Sequence, residues 1–267
     1  MIKVAFIGAG RMASAMVRGL LKTGHYSPAE IGCTCGDDPT GPQLAKSTGI
    51  VYEPELEKLL SASSIIVLAC KPQQFNGLNA TIAALAKDQL IISILAGIPL
   101  ARINARFPDA RNRVRSMPNT PGQIGEGISA YASDQRLSDS DNEIVQLVLG
   151  ALGEVVAVPE DQLDAVTAVS GSGPAYVFEF TAALAEAGIA AGLPPQVAAK
   201  LARQTVIGSG NLLKESSEDP EELRRQVTSP GGTTQAALEQ FSDDKLRDIV
   251  RHAVIAAKTR SIELAQG

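Results

Sequence analysis

In this sequence of 267 residues, residue types that characterise several large protein classes are scarce. It has only three cysteines, Cys33, Cys35 and Cys70, which are too few for the disulfide framework of a secreted protein and favour a reducing cytoplasm. With only two histidines in the chain, Cys33 and Cys35 have no matching Cys or His pair to complete a zinc site. We therefore predict that both are strand residues and expect no metal site.

A surplus of basic residues and a long apolar segment are also missing. The chain has 24 Lys and Arg residues against 29 Asp and Glu, a net charge of -5, which makes a nucleic-acid backbone an unfavourable partner. No apolar run approaches the roughly 18 residues of a membrane span. Residues 1–6 have a strand pattern without the basic flank and cleavage site of a secretory signal. We expect a cytoplasmic protein that binds neither nucleic acid nor membrane.

Short apolar runs alternate with helical patterns over residues 1–160. Residues 65–69 are apolar at every position, as expected for a parallel strand that is buried on both faces. The predicted strands are residues 3–7, 31–35, 64–70, 90–95, 113–115, 129–132 and 154–158. Alternation of strand and helix predicts an α/β domain built on a doubly wound parallel sheet.

Strand patterns stop near residue 160, and the remaining sequence is rich in alanine and helical in period. Pro174 suits the first turn of a helix, and Gly192 followed by Pro194 and Pro195 indicates that one helix ends and another begins. We therefore predict two domains, an α/β domain over residues 1–160 and an all-α domain over residues 161–267.

A glycine-rich turn follows the first predicted strand, with the sequence Ile7-Gly8-Ala9-Gly10-Arg11-Met12-Ala13. The pattern G-x-G-x-x-A between a strand and a helix is typical of Rossmann-type dinucleotide binding. Gly8 allows the tight turn, Gly10 lets the backbone approach a pyrophosphate, and Ala13 lets the helix pack closely on the strand. The helix N-terminus then offers N–H groups to the phosphates. The alternative is a glycine turn with only a structural role.

The end of the second predicted strand bears on the choice between NAD and NADP. The sequence there is Thr34-Cys35-Gly36-Asp37-Asp38. An acid at this point binds the ribose 2′-hydroxyl of NAD, whereas a basic or small hydroxyl residue suits the 2′-phosphate of NADP. No residue here is basic, and the two acids lie just beyond the expected contact. The residues therefore leave the choice of coenzyme open.

Four further motifs occur in an order that closely resembles the pyrroline-5-carboxylate reductases. The motifs are Ala69-Cys70-Lys71-Pro72-Gln73, Arg115-Ser116-Met117-Pro118-Asn119-Thr120-Pro121, Ser170-Gly171-Ser172-Gly173-Pro174-Ala175-Tyr176 and Val227-Thr228-Ser229-Pro230-Gly231-Gly232-Thr233-Thr234. The resemblance covers essentially the whole chain. The sequence departs from the commoner pattern at Arg11, at Ser116 and at the Cys35-Gly36 pair, which bears on coenzyme preference and not on the reaction.

The resemblance implies a reaction, a coenzyme and an assembly. The reaction is hydride transfer from NADH or NADPH to the C=N bond of 1-pyrroline-5-carboxylate, which gives L-proline in the last step of proline biosynthesis. The resemblance slightly favours NADP as the coenzyme. It also implies an N-terminal Rossmann domain and a helical domain that intertwines with a second copy of the chain, in homodimers that often assemble into decamers.

The last motif carries the predicted substrate site. Its glycines expose backbone N–H groups and a helical run follows, which favours binding of the substrate carboxylate. The resemblance implies that the hydroxyl of Thr234 hydrogen-bonds the ring nitrogen, so that Thr234 is the predicted catalytic residue. The alternative is a Ser/Thr helix cap after a Pro-Gly turn, and both roles can coexist. The predicted substrate-binding residues are Ser229, Gly231, Gly232, Thr233 and Thr234.

The predicted coenzyme-binding residues lie in the motifs and at the ends of strands. Lys71 ends an apolar strand and either contacts a coenzyme phosphate or ribose or is a solvated lysine. Asn119 either orients the nicotinamide ribose or stabilises its own turn. The full set is Ile7, Gly8, Ala9, Gly10, Arg11, Met12, Cys35, Gly36, Ala69, Cys70, Lys71, Pro72, Ala96, Gly97 and Asn119.

Two other functions are consistent with a dinucleotide-binding domain followed by helices. A β-hydroxyacid dehydrogenase needs a lysine on the first long helix of its second domain, and residues 170–199 contain no lysine. A non-catalytic dinucleotide-binding protein would lack a usable substrate loop, whereas this chain has one. Neither His25 nor His252 lies in a motif, so neither is a candidate general acid. The reductase reaction does not need a strong general acid, because a protonated imine already carries its proton and needs mainly orientation. The sequence therefore favours the reductase.

Overall fold

The structure, a computed structural model, describes residues 1–61, 63–78 and 81–266. These residues form one sheet of eight strands in the order β3-β2-β1-β4-β5-β6-β7-β8. The strands are β1 (Val4–Ile7), β2 (Ile31–Thr34), β3 (Val51–Tyr52), β4 (Ile65–Leu68), β5 (Leu90–Ser93), β6 (Asn112–Met117), β7 (Gly127–Ser133) and β8 (Gly153–Ala157).

Helices occupy most of the remaining described chain, and short 3-10 turns join several of them. The helices are α1 (Arg11–Thr23), α2 (Thr40–Thr48), α3 (Leu56–Ser61), α4 (Pro72–Phe75), α5 (Thr81–Leu85), α6 (Leu100–Arg106), α7 (Asp139–Gly150), α8 (Leu163–Val166), α9 (Gly173–Ala190), α10 (Pro195–Glu215), α11 (Pro220–Gln226), α12 (Thr233–Asp243) and α13 (Leu246–Gln266). A wider π turn, Thr167–Gly171, separates α8 from α9. None of the described helices combines the length and the apolar character that crossing a membrane requires.

The sheet has the doubly wound order that the sequence predicts. Strand β1 pairs in parallel with both β2 and β4, and β5 and β6 extend the parallel sheet beyond β4. Because side chains alternate between the two faces of a strand, Val4 and Phe6 belong to one apolar core, and Ala5 and Ile7 to the other. All four residues of β4 are buried, as predicted for a strand that is covered on both faces. The predicted fold class is therefore confirmed.

Two features of the sheet are absent from the sequence prediction. Strand β7 runs antiparallel to β6, and β8 then pairs in parallel with β7. A parallel pair needs a crossover of a dozen or more residues, and the link from Met117 to Gly127 is shorter than that. Strand β3 has only two residues, which is too few to show an alternating pattern.

The chain divides into two compact units. One contains Met1–Ser172 together with the residues from Ala257 onward, and the other is Gly173–Ala256. The second unit is helical throughout, in agreement with the predicted all-α region. The end of α13 belongs to the first unit, and the boundary of the functional domains at residue 160 stays a prediction.

Arg115 on β6 is the buried centre of a partly exposed polar cluster in the first unit. Its side chain is 8% exposed and lies 3.2 Å from Oε1 of Glu160 and 3.8 Å from Oδ1 of Asp164. Asp164 accepts a 2.7 Å hydrogen bond from the hydroxyl of Ser261, and Glu160 accepts one of 2.6 Å from the N–H of Leu100. One arginine therefore connects β6 with segments at α6, α8 and α13 that are distant in the sequence.

We expect Arg115→Ala to lower the free energy of unfolding by about 3 kcal/mol, because it leaves two carboxylates without their buried cation. Urea denaturation followed by circular dichroism measures this loss. Arg224→Ala is the control, since Arg224 pairs with Glu221 on an exposed helix face and such pairs contribute less than about 1 kcal/mol. Equal losses in the two variants would contradict the prediction.

Candidate functional site

A ligand crevice is expected where the strand order of the sheet reverses. The chain leaves β1 toward β2 and later returns on the other side of β1 to form β4. Ligands of doubly wound sheets bind outside the carboxyl ends of the strands at such a switch point. In this chain Gly8 follows β1, Cys35 follows β2 and Ala69 follows β4. Three of the sequence motifs therefore end at the same edge of the sheet.

A cavity of about 560 Å³ lies at this edge, and we call it the nucleotide cleft. Its lining includes the predicted coenzyme residues Ile7, Gly8, Ala9, Gly10, Cys35, Gly36, Ala69, Cys70 and Lys71. Sequence reasoning missed its other lining residues, which are Thr34, Asp38, Thr40, Pro54, Leu56, Gln74 and Leu78. Of these, Asp38 and Thr40 lie only a few residues after the second strand. That position in the sequence could have identified them as residues of the cleft.

The two glycines of the first turn are needed for different reasons. Gly8 has a φ of +110°, and a Cβ added to it would overlap the carbonyl oxygen of Ala69, so the packing of β1 against β4 itself requires glycine. Gly10 has a φ of -67°, and an added Cβ would meet no atom of the chain within 4 Å. The chain leaves this space open beside a helix N-terminus, which fits the close approach of a coenzyme pyrophosphate.

Helix α1 presents unsatisfied donors to that space. Gly10 is its N-cap residue, no side chain caps the helix, and its first turn contains no acidic residue. The first N–H groups of a helix lack intrahelical partners, so they are available to an anion. Arg11, the first residue of α1, is exposed and lines a neighbouring cavity of about 530 Å³ together with Arg18 and Thr40.

Six predicted coenzyme residues do not line the nucleotide cleft: Arg11, Met12, Pro72, Ala96, Gly97 and Asn119. Met12 is half-buried and packs against the apolar core beneath α1. Gly97 lies beyond the end of β5 and has a φ of +71° that favours glycine. The side-chain oxygen of Asn119 accepts a 2.9 Å hydrogen bond from the N–H of Ile128, which stabilises the turn before β7.

The cysteines of the first unit are free thiols. Burial raises the pKa of Cys33 to about 11 and also raises the pKa of Cys70. Both thiols are therefore protonated at neutral pH, a form that is a poor metal ligand. Within the described ranges, no group of three or more His, Cys, Asp or Glu residues could hold a metal ion.

Two further sequence motifs meet at the π turn. Gly171 packs against the side chain of Met117, and a Cβ added to Gly171 would lie 2.7 Å from Cε of Met117. The hydroxyl of Ser170 donates to the carbonyl of Val166 within the same turn. The motif that ends β6 and the motif that leads into α9 therefore form one packed corner, where a residue larger than glycine would require the side chain of Met117 to move.

The predicted substrate loop lies in the helical unit, immediately before α12. Gly231 has a φ of +69° that turns the chain, and its N–H donates to Oε1 of Gln235 at 2.8 Å. The N–H of Gly232 donates to the carbonyl of Ser229 at 3.0 Å. Both glycine N–H groups thus have partners within the chain. The N–H groups of Thr233, Thr234 and Gln235, in the first turn of α12, have no intrahelical partners.

The threonine hydroxyls do not cap this helix. The N-cap residue of α12 is Gly232, and no side chain forms a capping hydrogen bond there. Thr233 is exposed and Thr234 is half-buried. In the part of the chain that the structure describes, the Thr234 hydroxyl makes no hydrogen bond. It is therefore available to a bound molecule.

Comparisons with known proteins show which family this chain is similar to. A family model described as pyrroline-5-carboxylate reductase dimerisation matches residues 160–264, and one described as NADP oxidoreductase coenzyme F420-dependent matches residues 3–97. A pyrroline-5-carboxylate reductase from Synechocystis is 40% identical over 99% of both chains.

Solved structures of similar proteins have the same fold. A pyrroline-5-carboxylate reductase from Coxiella burnetii superposes with a TM-score of 0.93 at 31% identity, over 99% of this chain and 98% of that one. A pyrroline carboxylate reductase from Plasmodium falciparum, solved with NADP bound, superposes with a TM-score of 0.83 at 29% identity and the same coverage.

Proposed function

Because the chain belongs to the pyrroline-5-carboxylate reductase family, we propose that the nucleotide cleft binds the coenzyme and the loop before α12 binds the imine. The chain is an NAD(P)-dependent oxidoreductase of proline biosynthesis. It reduces the C=N bond of 1-pyrroline-5-carboxylate and forms L-proline. When bound, the reduced nicotinamide supplies the hydride for this reduction.

The open space at Gly10 carries the coenzyme assignment. The uncapped N–H groups of α1 bind the pyrophosphate, and Gly8 holds the turn in the shape that directs them toward it. Lys71, the N-cap residue of α4 after β4, contacts a phosphate or ribose. The relative from Plasmodium falciparum was solved with NADP bound, which supports coenzyme binding by this chain. In the same proposal Ala96, Gly97 and Asn119 lie toward the nicotinamide end.

The loop before α12 holds the substrate by its carboxylate and its ring nitrogen. The N–H groups of Thr233 and Thr234 bind the carboxylate, because they are unsatisfied donors at a helix N-terminus. The Thr234 hydroxyl bonds the ring nitrogen and orients the C=N bond. Ser229, Gly231 and Gly232 shape the loop around the substrate. Since a protonated imine carries its own proton, the chain contributes mainly orientation.

A spectrophotometric assay tests the proposal directly. The purified chain is mixed with 1-pyrroline-5-carboxylate and either NADH or NADPH, and the loss of reduced coenzyme is followed. We expect imine-dependent oxidation of at least one coenzyme and formation of proline. No reaction with either coenzyme would overturn the assigned activity.

The exposed apolar side chains of the helical unit are evidence that the chain self-associates. Helix α9 contains no buried residue, although most of its residues are apolar. Phe178 is 67% exposed, and Val177 and Phe180 are about half exposed. Apolar surface of this extent marks an interaction site. The family model for dimerisation covers this region, and the chain forms homo-oligomers. We propose that the basic oligomer is a dimer through the helical unit, which can assemble further into decamers.

We expect sedimentation at low micromolar concentration to show at least a dimer, with an apolar interface above about 2,000 Å² in total. Phe178→Glu should weaken the assembly, because it replaces the most exposed of the large apolar side chains of α9 by a charged one. Val156→Glu is the control, since Val156 is an exposed apolar residue of β8. A fully active wild-type species at the monomer mass of 27.9 kDa would refute the dimer.

The remaining assignments concern compartment and partners. The three free thiols support a reducing compartment, and we propose the cytoplasm. The net charge of -5 supports partners that are small molecules and copies of the same chain, not nucleic acid. Fractionation of the source cells, followed by an activity assay of each fraction, tests the compartment.

A further inference from the structure

A hydrogen-bonded turn follows β2 at the edge of the nucleotide cleft. The N–H of Asp38 donates to the carbonyl of Gly36 at 2.7 Å, and the thiol of Cys35 donates to the carbonyl of Asp38 at 3.2 Å. Oδ1 of Asp38 accepts a 2.9 Å hydrogen bond from the N–H of Thr40 and a second hydrogen bond from the hydroxyl of Thr40. These bonds hold both the backbone and the carboxylate of Asp38 in one position.

The turn places Asp38 at the cleft, where the sequence alone did not place it. Counted along the chain, Asp37 and Asp38 lie beyond the expected ribose contact. Because the chain folds back at Gly36, Asp38 lines the same cavity as Gly8 and Gly10. Its second oxygen, Oδ2, makes no hydrogen bond within the described residues. One carboxylate oxygen is thus anchored and the other is available to a ligand.

The charge of Asp38 is maintained at neutral pH. The hydrogen bonds from Thr40 and, to a smaller extent, the positive charge of Lys71 lower the pKa of this exposed carboxyl. Lys71 lines the same cleft and, within the described residues, is the only Lys or Arg that does so. The coenzyme's adenosine end therefore meets one fixed anion and one longer, more adaptable cation.

We propose that Asp38 is a specificity-determining residue that favours NADH over NADPH. A ribose 2′-hydroxyl can donate a hydrogen bond to Oδ2, and acids at the end of the second strand accept such a bond in NAD-binding domains. A 2′-phosphate carries about -1.5 to -2 charge at pH 7 and only accepts hydrogen bonds, so the same carboxylate repels it. Lys71 offsets part of this repulsion. The proposal rests on coenzyme binding in the nucleotide cleft.

A purely structural role for Asp38 gives a different expectation. Its bonds to Thr40 stabilise the start of α2. Their loss would lower the stability of the protein and weaken the binding of NADH and NADPH to the same extent. Asp38→Asn separates the two roles, because the amide oxygen still accepts from Thr40 while the negative charge is removed. Asp37→Asn is the matched control, since Asp37 has the same charge and is adjacent but does not line the cleft.

Titration calorimetry of NADH and NADPH binding tests the proposal and needs no substrate, so it is separate from the test of the reaction. We expect Asp38→Asn to shift the ratio of the two dissociation constants toward NADPH by about tenfold or more, and Asp37→Asn to shift it less than about twofold. Melting temperatures near that of the wild type would show that the turn is intact. An unchanged ratio in Asp38→Asn, or an equal shift in both variants, would overturn the proposal.

Discussion

Replacing Gly10 by valine is expected to weaken NADH and NADPH binding by at least about 100-fold while both units stay folded. The backbone at Gly10 is extended, with a φ of -67° and a ψ of -175°, which valine adopts without strain. Its side chain meets no atom of the chain at the Cβ position, but it occupies the space where the backbone approaches a pyrophosphate. The lost N-cap preference costs only about 1 kcal/mol.

Calorimetry with each coenzyme measures the loss, and circular dichroism checks the fold. Gly8→Val is an informative comparison, because a side chain there would overlap the backbone of Ala69 and the φ of +110° disfavours any residue but glycine. That variant should be strongly destabilised, whereas Gly10→Val should melt near the wild-type temperature. Unchanged coenzyme affinity in a folded Gly10→Val protein would remove this turn from the coenzyme site.

Removing the Thr234 hydroxyl is expected to lower kcat by about 10- to 1,000-fold, with a smaller change in coenzyme affinity. An oriented hydrogen bond that forms at the reacting centre typically lowers the barrier by about 1.5–4 kcal/mol. Because this hydroxyl has no partner among the described residues, Thr234→Ala should leave the stability of the helical unit nearly unchanged. Steady-state kinetics with saturating coenzyme measures the effect.

Two further variants at this position separate the hydroxyl from the shape of the side chain. Thr234→Val keeps the branched shape and loses the hydroxyl, so its turnover should be as low as that of the alanine variant. Thr234→Ser keeps the hydroxyl and should recover most of the activity. Near-normal kcat in both the Ala and the Val variants would show that Thr234 has no catalytic role.

Much of the fold follows from patterns that are local in the sequence. The unbroken apolar run of β4 predicts a strand that is buried on both faces, since a strand with a wet face would alternate. The order of the motifs identified the family, which the similar proteins confirm. The direction of β7 was not predicted, because the predicted strand ends, residues 115 and 129, left a link long enough for a parallel crossover, and the structure makes that link shorter.

The candidate site could be predicted in its main elements but not in its details. The glycine turn and the strand ends were found because a turn at φ +110° and an uncapped helix start have local sequence signatures. The N–H groups of Gly231 and Gly232 were expected to be free, and the structure shows them bonded to Gln235 and Ser229. A side chain four residues away accepts the first bond and a backbone carbonyl accepts the second, and composition reveals neither.

The sequence by itself determined the alternation of strands and helices, the dinucleotide-binding turn and the family, because each depends on residues that are adjacent or regularly spaced. Only the tertiary structure decided that Asp38 reaches the nucleotide cleft and that Arg115 connects Glu160 with Asp164. The physical reason is that such contacts join residues brought together by the folding of β2, β6 and α8. Their distances depend on the packing of the whole sheet and not on any short stretch of chain.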